Sequence, residues 1–332
     1  MSKITIIGAG SWGCALANIL CENHHQVLMF DHTAQTVNDI NLLHQNRKIP
    51  EVLIDESIRA TLDIKEAVDY SDYIVLSVPT KVMRSVLELI KGVISRKKLF
   101  INTSKGLEPD TFKRISEIVY EIIPNEFIKG FVALTGPSHA EEVIIKLPTT
   151  ICAVSTNKDD ASLVQHIFSN HTNFRVYTGN DLVGSELCAA IKNVYAIASG
   201  MLEGLGFGDN ARAGLIARAL VEMRRIVVLL GAKEETIYGL TGVGDLIVTT
   251  TSHHSRNFQA GVKLASGKSL DETIASMDMV VEGARTALAV NELIDELHID
   301  APIIKAVYKV IYLKMPVKDA VNELLMRSFK EE

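Results

Sequence analysis

Apolar and polar positions along the chain fall into two rhythms. Up to about residue 178, short β-branched apolar runs alternate with amphipathic segments; beyond that only helical spacing remains. Ile4-Thr5-Ile6-Ile7 predicts a strand, and Cys14-Ala15-Leu16-Ala17-Asn18-Ile19-Leu20 a helix. Val27-Leu28-Met29-Phe30 predicts a second strand, followed by polar, helical spacing from Asp31 through about Gln45. Further strands are expected at Ile58–Thr61, Asp72–Pro79, Leu99–Thr103, Phe131–Thr135, Thr149–Val154 and Phe174–Tyr177. The helices between them are Ile64–Tyr70, Val82–Ile94, Thr111–Ile123 and Ala161–Phe168, with Arg47–Pro50 as a loop. The unbroken apolar character of Tyr73–Val78 suits a parallel sheet covered on both faces. From Asp181 onward the pattern predicts helices over Val183–Met201, Ala211–Leu230, Asn257–Ala265 and about 286–297, 303–312 and 317–329.

The junction between the first strand and the first helix sharpens this picture. It reads Gly8-Ala9-Gly10-Ser11-Trp12-Gly13. Strand, glycine turn and helix in that order form the opening of a dinucleotide-binding βαβ unit. Gly8 permits the tight turn, Gly10 lets a pyrophosphate reach the backbone, and Gly13 lets helix and strand pack closely. The helix N-terminus then offers unpaired N–H groups and a favourable dipole to the phosphates. Asp31 ends the second strand 23 residues after Gly8, where an acid holds the ribose 2′-OH. The fold expected is α/β: a Rossmann-like, doubly wound domain over residues 1–180, then an all-α domain over 181–332. A cleft between the two halves is the natural place for an active site.

Bulk properties narrow the function classes. The chain has 332 residues, enough for two domains, and 47% hydrophobic residues, enough for a sizeable core. A net charge of −6 gives no sign of a nucleic-acid partner. Cys14, Cys21, Cys152 and Cys188 lack metal spacing and read as buried thiols in a reducing compartment. Met1-Ser2-Lys3 leads directly into a strand, so no signal peptide is expected. No apolar run approaches the roughly 20 residues of a membrane span. A soluble, cytoplasmic protein is the expectation.

Four stretches of the helical half carry candidate chemistry. Lys192 has Cys188, Ala189, Tyr195 and Ala196 on its face, three of them small, which leaves room for a ligand. A lysine desolvated there, with other cations nearby, exchanges a proton near neutrality; the alternative is a solvated lysine with its stem along the surface. Gly242-Val243-Gly244-Asp245-Leu246 is a glycine-rich turn presenting one acid, able to hold an ammonium or to cap a helix. In Ser252-His253-His254-Ser255-Arg256-Asn257, Ser255 suits a helix N-cap, and Arg256 and Asn257 suit a phosphate-binding corner. The adjacent histidines do not share a face and have no third ligand, so no metal is expected. Val280-Val281-Glu282-Gly283 is structural on local evidence.

Together with Ser104-Lys105-Gly106, Gly136-Pro137-Ser138-His139-Ala140, Lys192-Asn193 and Asn210-Ala211-Arg212-Ala213, these pieces resemble NAD(P)-dependent glycerol-3-phosphate dehydrogenase of the bacterial biosynthetic type, over essentially the whole chain. The resemblance implies hydride transfer with NAD(P) between glycerol 3-phosphate and dihydroxyacetone phosphate, supplying glycerol 3-phosphate for phospholipid synthesis. It implies that Lys192 exchanges the proton of the 2-hydroxyl, that Asp245 orients it, and that Lys105 is a second cation near the reacting oxygen. Arg256 and Asn257 match the substrate phosphate clamp, with Ser255 beside them; Gly136 and Ser138 match positions lining the substrate. Ser11, Trp12, His32, Lys105, Ala140, Arg256, Val280 and Glu282 match cofactor contacts, alongside Gly8, Gly10, Gly13 and Asp31. Asp31 favours a ribose with a free 2′-OH and so NAD over NADP, with His32 directly beside it. A homodimer through the helical half is also implied. Dehydrogenases of 3-hydroxyacyl-CoA or 6-phosphogluconate share the plan but need other catalytic motifs. A non-catalytic cofactor-binding regulator has little use for Lys192, Asp245 and Arg256 together.

Overall fold

The structure, a computed structural model, describes the chain except for residues 51, 109–110, 278–280, 329–330 and 332. It divides into a compact unit of Met1–Glu108 with Lys113–Glu186, and a second built on Leu187–Glu332.

The first unit opens with β1 (Lys3–Ile7), α1 (Ser11–Glu22), β2 (Gln26–Phe30), α2 (Ala34–Asn38), β3 (Arg59–Thr61) and α3 (Ile64–Tyr70). It continues with β4 (Tyr73–Leu76), α4 (Thr80–Lys91), β5 (Lys98–Asn102), α5 (Ile115–Ile122), β6 (Ile128–Thr135) and α6 (Ala140–Ile144), and closes with β7 (Thr149–Val154), α7 (Lys158–Phe168) and β8 (Phe174–Gly179). The strands form one sheet in the order β3-β2-β1-β4-β5-β6-β7-β8. All neighbours are parallel except β6 and β7.

The unbroken apolar runs are explained by two cores, one on each face. Ile4 and Ile6 join Val75, Leu99 and Ile101 in one; Ile7 joins Ile74, Leu76 and Phe100 in the other. Alternation along a strand sends successive side chains to opposite faces. Thr5, buried among them, is satisfied because its hydroxyl donates to the Ala67 carbonyl at 2.7 Å. Because β1, β2, β4, β5 and β6 run in one direction, the residues that follow them gather at one edge of the sheet. These are Gly8–Gly13, Asp31, Ser77–Pro79, Thr103–Gly106 and Gly136–Ser138.

Some expectations are corrected. The strand expected over 72–79 is only Tyr73–Leu76, and the next helix starts earlier, directly after Pro79. The polar stretch after Asp31 is helical only over α2 and a π-helical turn at Asp39–Leu43. The helix expected from Thr111 begins at Ile115, because Phe112 has φ +57° and the Glu117 carboxylate accepts the Arg114 N–H at 2.8 Å, fixing the helix start.

The second unit is helical, as the spacing predicts. α8 (Leu182–Gly204) leads into it, followed by α9 (Asp209–Leu229), α10 (Glu234–Ile237), α11 (Asp245–Thr251) and α12 (Arg256–Ala265). α13 (Leu270–Met277), α14 (Glu282–Glu296), α15 (Pro302–Tyr312) and α16 (Val317–Leu325) complete it. Among the described residues no helix is long and apolar enough to cross a membrane.

A buried carboxylate joins three of these helices. Glu222 of α9 accepts the N–H groups of Ile303 and Ile304, at 2.9 and 3.0 Å, in the first turn of α15, and the Tyr195 hydroxyl of α8 at 3.4 Å. Those amides are orphans at the helix start, so the carboxylate caps α15 from outside. Burial outweighs the hydrogen bonds and pushes its pKa up to about 7. The folded chain therefore binds a proton that the unfolded chain has lost between about pH 4.5 and 7, and stability falls as pH rises through that window. The shift corresponds to about 3 kcal/mol. Thermal melts from pH 5 to 8 are expected to show this slope in the wild type and a shallower one in Glu222→Gln, since the buried Glu186 carboxyl, also raised by burial, contributes with the same sign. An identical slope in both would remove Glu222 as its source.

Candidate active site

The glycine turn is held from several sides. The Gly8 N–H donates to the Phe30 carbonyl at 2.9 Å, and the Ala9 N–H to Asp31 Oδ2 at 3.2 Å. Asp31 Oδ1 accepts the Thr33 N–H at 2.9 Å. The acid at the end of β2 thus ties the turn to the segment after it, and each oxygen keeps a lone pair for a ribose hydroxyl. Gly8 has φ +108°, a conformation L side chains avoid. A Cβ on Gly13 would lie 2.2 Å from the Gly8 carbonyl oxygen. At Gly10 a Cβ would meet nothing within 4 Å, so the turn is open on the side where a pyrophosphate would approach. The first amides of α1, from Ser11 on, add donors there. These residues fit a dinucleotide. Trp12 and Ala140 pack partly buried against the same apolar core, and the His32 side chain is 90% exposed with Nδ1 3.5 Å from Asp31 Oδ1.

A second corner of the first unit lies at the ends of β5 and β6. Lys105 Nζ donates to the Gly136 carbonyl at 2.8 Å and lies 3.5 Å from Ser138 Oγ, which itself donates to that carbonyl at 3.0 Å. Parallel pairing of β5 and β6 is what brings Lys105 to Gly136 and Ser138, more than 30 positions away in the chain.

In the second unit, Lys192 is only 4% exposed. Its Nζ donates to Asp245 Oδ1 at 2.5 Å and to Thr249 Oγ1 at 2.7 Å. The surface-lysine alternative is excluded. Asp245 is the first residue of α11 and its side chain is 1% exposed. Thr249 stands one turn further on, and its hydroxyl donates to the Asp245 carbonyl at 2.6 Å. Ser199 of α8 donates to the Thr250 carbonyl at 2.7 Å, fixing α11 against α8. A buried ion pair adds little net stability against its desolvation cost, but it fixes geometry and charge.

Ser255 caps α12, its Oγ accepting the Phe258 N–H at 3.3 Å. Arg256, the first residue of α12, is exposed. The Asn257 side chain is engaged within the unit: its Nδ2 donates to Asn193 Oδ1 at 3.0 Å and its Oδ1 accepts the Gly283 N–H at 2.9 Å. Its backbone N–H, at the start of α12, is the group placed for an anion. Glu282 opens α14. Val280 lies outside the described residues. His253 and His254 are exposed, and no group of three or more potential metal ligands occurs among the described residues.

Sequence reasoning did not single out Thr249. Its signal was present in the i, i+4 spacing from Asp245, which stacks two side chains on one helix face.

Comparison with known proteins agrees across the chain. Family models described as NAD-dependent glycerol-3-phosphate dehydrogenase N-terminus and C-terminus match residues 3–161 and 181–322. Glycerol-3-phosphate dehydrogenase [NAD(P)+] of Staphylococcus haemolyticus is 48% identical over 333 aligned residues, covering 100% of each chain. The protein of that name in Acholeplasma laidlawii is also 48% identical, over 99% of each. The crystal structure of glycerol-3-phosphate dehydrogenase from Coxiella burnetii superposes with a TM-score of 0.92 at 33% identity, covering 98% of this chain and 99% of that one.

Proposed function

The chain belongs to the NAD-dependent glycerol-3-phosphate dehydrogenase family, and from that premise we propose how its residues divide the work. The protein is an NAD(P)-dependent oxidoreductase that interconverts glycerol 3-phosphate and dihydroxyacetone phosphate. The cofactor, when bound, supplies or accepts the hydride at C2 of the substrate. Gly8, Gly10, Ser11, Trp12 and Gly13 hold its pyrophosphate, and Asp31 with His32 its ribose. Lys105, Ala140, Arg256, Val280 and Glu282 add contacts to it.

Lys192 handles the proton. In reduction its ammonium donates to the carbonyl oxygen of dihydroxyacetone phosphate as that oxygen becomes a hydroxyl; in oxidation the neutral amine takes the proton back. The observation that carries this assignment is the buried Lys192–Asp245–Thr249 cluster. Asp245 aims the ammonium, and Thr249 fixes its second donor direction. Lys105 stabilises negative charge that develops on the same oxygen. Gly136 and Ser138 line the substrate, and Arg256 holds its phosphate with Ser255 and Asn257 at the start of α12.

The preference is for NAD. A 2′-phosphate would bring negative charge against the Asp31 carboxylate, whereas a free 2′-OH donates to it. We also propose, as part of this reading, a domain boundary near residue 180, a homodimer, a cytoplasmic location and supply of glycerol 3-phosphate to phospholipid synthesis.

The test is loss of absorbance at the reduced-nicotinamide band with dihydroxyacetone phosphate, comparing NADH with NADPH. Both are expected to be oxidised, NADH with the higher kcat/KM. A strong preference for NADPH would show that His32 and its surroundings outweigh Asp31. Oxidation of neither would sink the substrate assignment.

A further inference from the structure

The glycine turn is also gripped by a residue far from it in sequence. Asn46 sits in the loop after the Asp39–Leu43 turn and is 4% exposed. Its Nδ2 donates to the Ala9 carbonyl at 2.7 Å and lies 3.3 Å from Cys14 Sγ. Its Oδ1 accepts the Lys48 N–H at 2.9 Å. That last bond settles the orientation of the amide, since only the oxygen can accept an N–H, and so it aims the NH₂ group at the turn. The loop itself is anchored: Ile49 and Ile54 are buried in the core, and Asn18 of α1 accepts the Asp55 N–H at 3.0 Å.

The effect on the turn follows from peptide geometry. Ala9 has its N–H committed to Asp31 and its carbonyl to Asn46. Peptide bonds here are trans, so a carbonyl and the next N–H point to opposite sides. With the Ala9 carbonyl drawn to Asn46, the Gly10 N–H is turned away from it. The Gly10 carbonyl is held in turn by the Cys14 N–H at 3.0 Å.

We infer that Asn46 is a positioning residue for cofactor binding: by clamping the Ala9 carbonyl it presents the Gly10 N–H to the dinucleotide pyrophosphate. This rests on the reading of the turn as the cofactor cradle. Asn46 acts through the Ala9–Gly10 peptide and not by touching the cofactor. It removes the freedom of the Ala9–Gly10 peptide to rotate, which binding would otherwise have to suppress.

The experiment is a fluorescence titration with NADH, alongside steady-state kinetics and thermal melting. Asn46→Ala removes the clamp. Asn46→Asp keeps an acceptor for the Lys48 N–H, and so holds the loop, while offering no donor to Ala9. Asn170→Ala is the structural control: Asn170 Oδ1 accepts the N–H groups of Thr172, Asn173 and Phe174 ahead of β8, beside the C-terminal end of α1 rather than the turn at its start. Both Asn46 variants are expected to raise the NADH Kd and KM by about tenfold, as for loss of one well-placed hydrogen bond. kcat at saturating NADH and the KM for dihydroxyacetone phosphate stay near wild type. Asn170→Ala lowers the melting temperature and leaves the NADH Kd unchanged. Asn46 variants that melt lower yet bind NADH as the wild type does would overturn the inference and leave Asn46 a loop staple. A wild type that binds neither NADH nor NADPH would instead fell the cradle reading, and this inference with it.

Discussion

Lys192→Met is expected to lower kcat for reduction of dihydroxyacetone phosphate by about 10²–10⁴-fold, the range for loss of a positioned general acid. NADH binding stays near wild type, because no part of the glycine turn is altered. The variant carries a second signature. Asp245 has a side chain 1% exposed and loses the ammonium that balances it. Removing one partner of a buried ion pair costs about 3–5 kcal/mol, mostly from the charge left behind. Lys192→Met therefore melts lower than wild type, and the double variant Lys192→Met/Asp245→Leu, which removes both charges, recovers most of the melting temperature. It does not recover turnover. Lost stability and lost activity are thus separated by one added substitution. A fall in kcat of less than about tenfold in Lys192→Met would take the proton away from this lysine.

Gly13→Ala is expected to abolish measurable NADH binding. Its Cβ would lie 2.2 Å from the Gly8 carbonyl oxygen, so α1 or the turn must move, and with them the N–H groups proposed to hold the pyrophosphate. Overpacking of this kind costs about 1–3 kcal/mol, so a lower melting temperature accompanies the loss. Gly10→Ala makes the comparison informative. Its Cβ meets no protein atom within 4 Å, so the fold tolerates it. On the proposed reading of the turn, the methyl group occupies the side from which the pyrophosphate approaches, and NADH affinity is expected to fall with no change in melting temperature. Gly10→Ala that binds NADH like wild type would place the pyrophosphate elsewhere.

Local patterns in the sequence carried most of the first unit. β1, α1, β2, α3 and the strands through β8 each announce themselves by period or by a run of β-branched residues, and each is found within a few residues of its expected place. What stayed hidden is non-local. The reversal of β7 against β6 leaves no mark in the composition of either strand, because a strand buried on both faces reads the same in either direction. Phe112 gave no sign of its left-handed conformation, since aromatic residues seldom adopt it. The candidate site divides in the same way. The turn and Asp31 are legible because the chemistry lies along one βαβ unit. Lys192 and Asp245 are 53 positions apart, and spacing alone left a surface lysine open. Asn46 had no local signal at all, because its role consists of reaching the Ala9 carbonyl 37 positions earlier.

Cys14 gives the turn a built-in chemical gauge. The thiol is completely buried beneath it, 3.3 Å from Asn46 Nδ2, and burial pushes its pKa up to about 12. Thiols react with alkylating reagents as thiolates, so at neutral pH the closed turn keeps this sulfur inert. Cys14 meets water, ionises and reacts only when the packing around it opens. Its rate of labelling is then a clock for local opening, running on the free energy of that opening rather than of global unfolding. On the proposed reading of the turn, a dinucleotide bound across Gly8–Gly13 is expected to slow the clock by holding the turn shut. The chain would thus carry, a few residues from the proposed pyrophosphate cradle, its own footprint of cofactor occupancy.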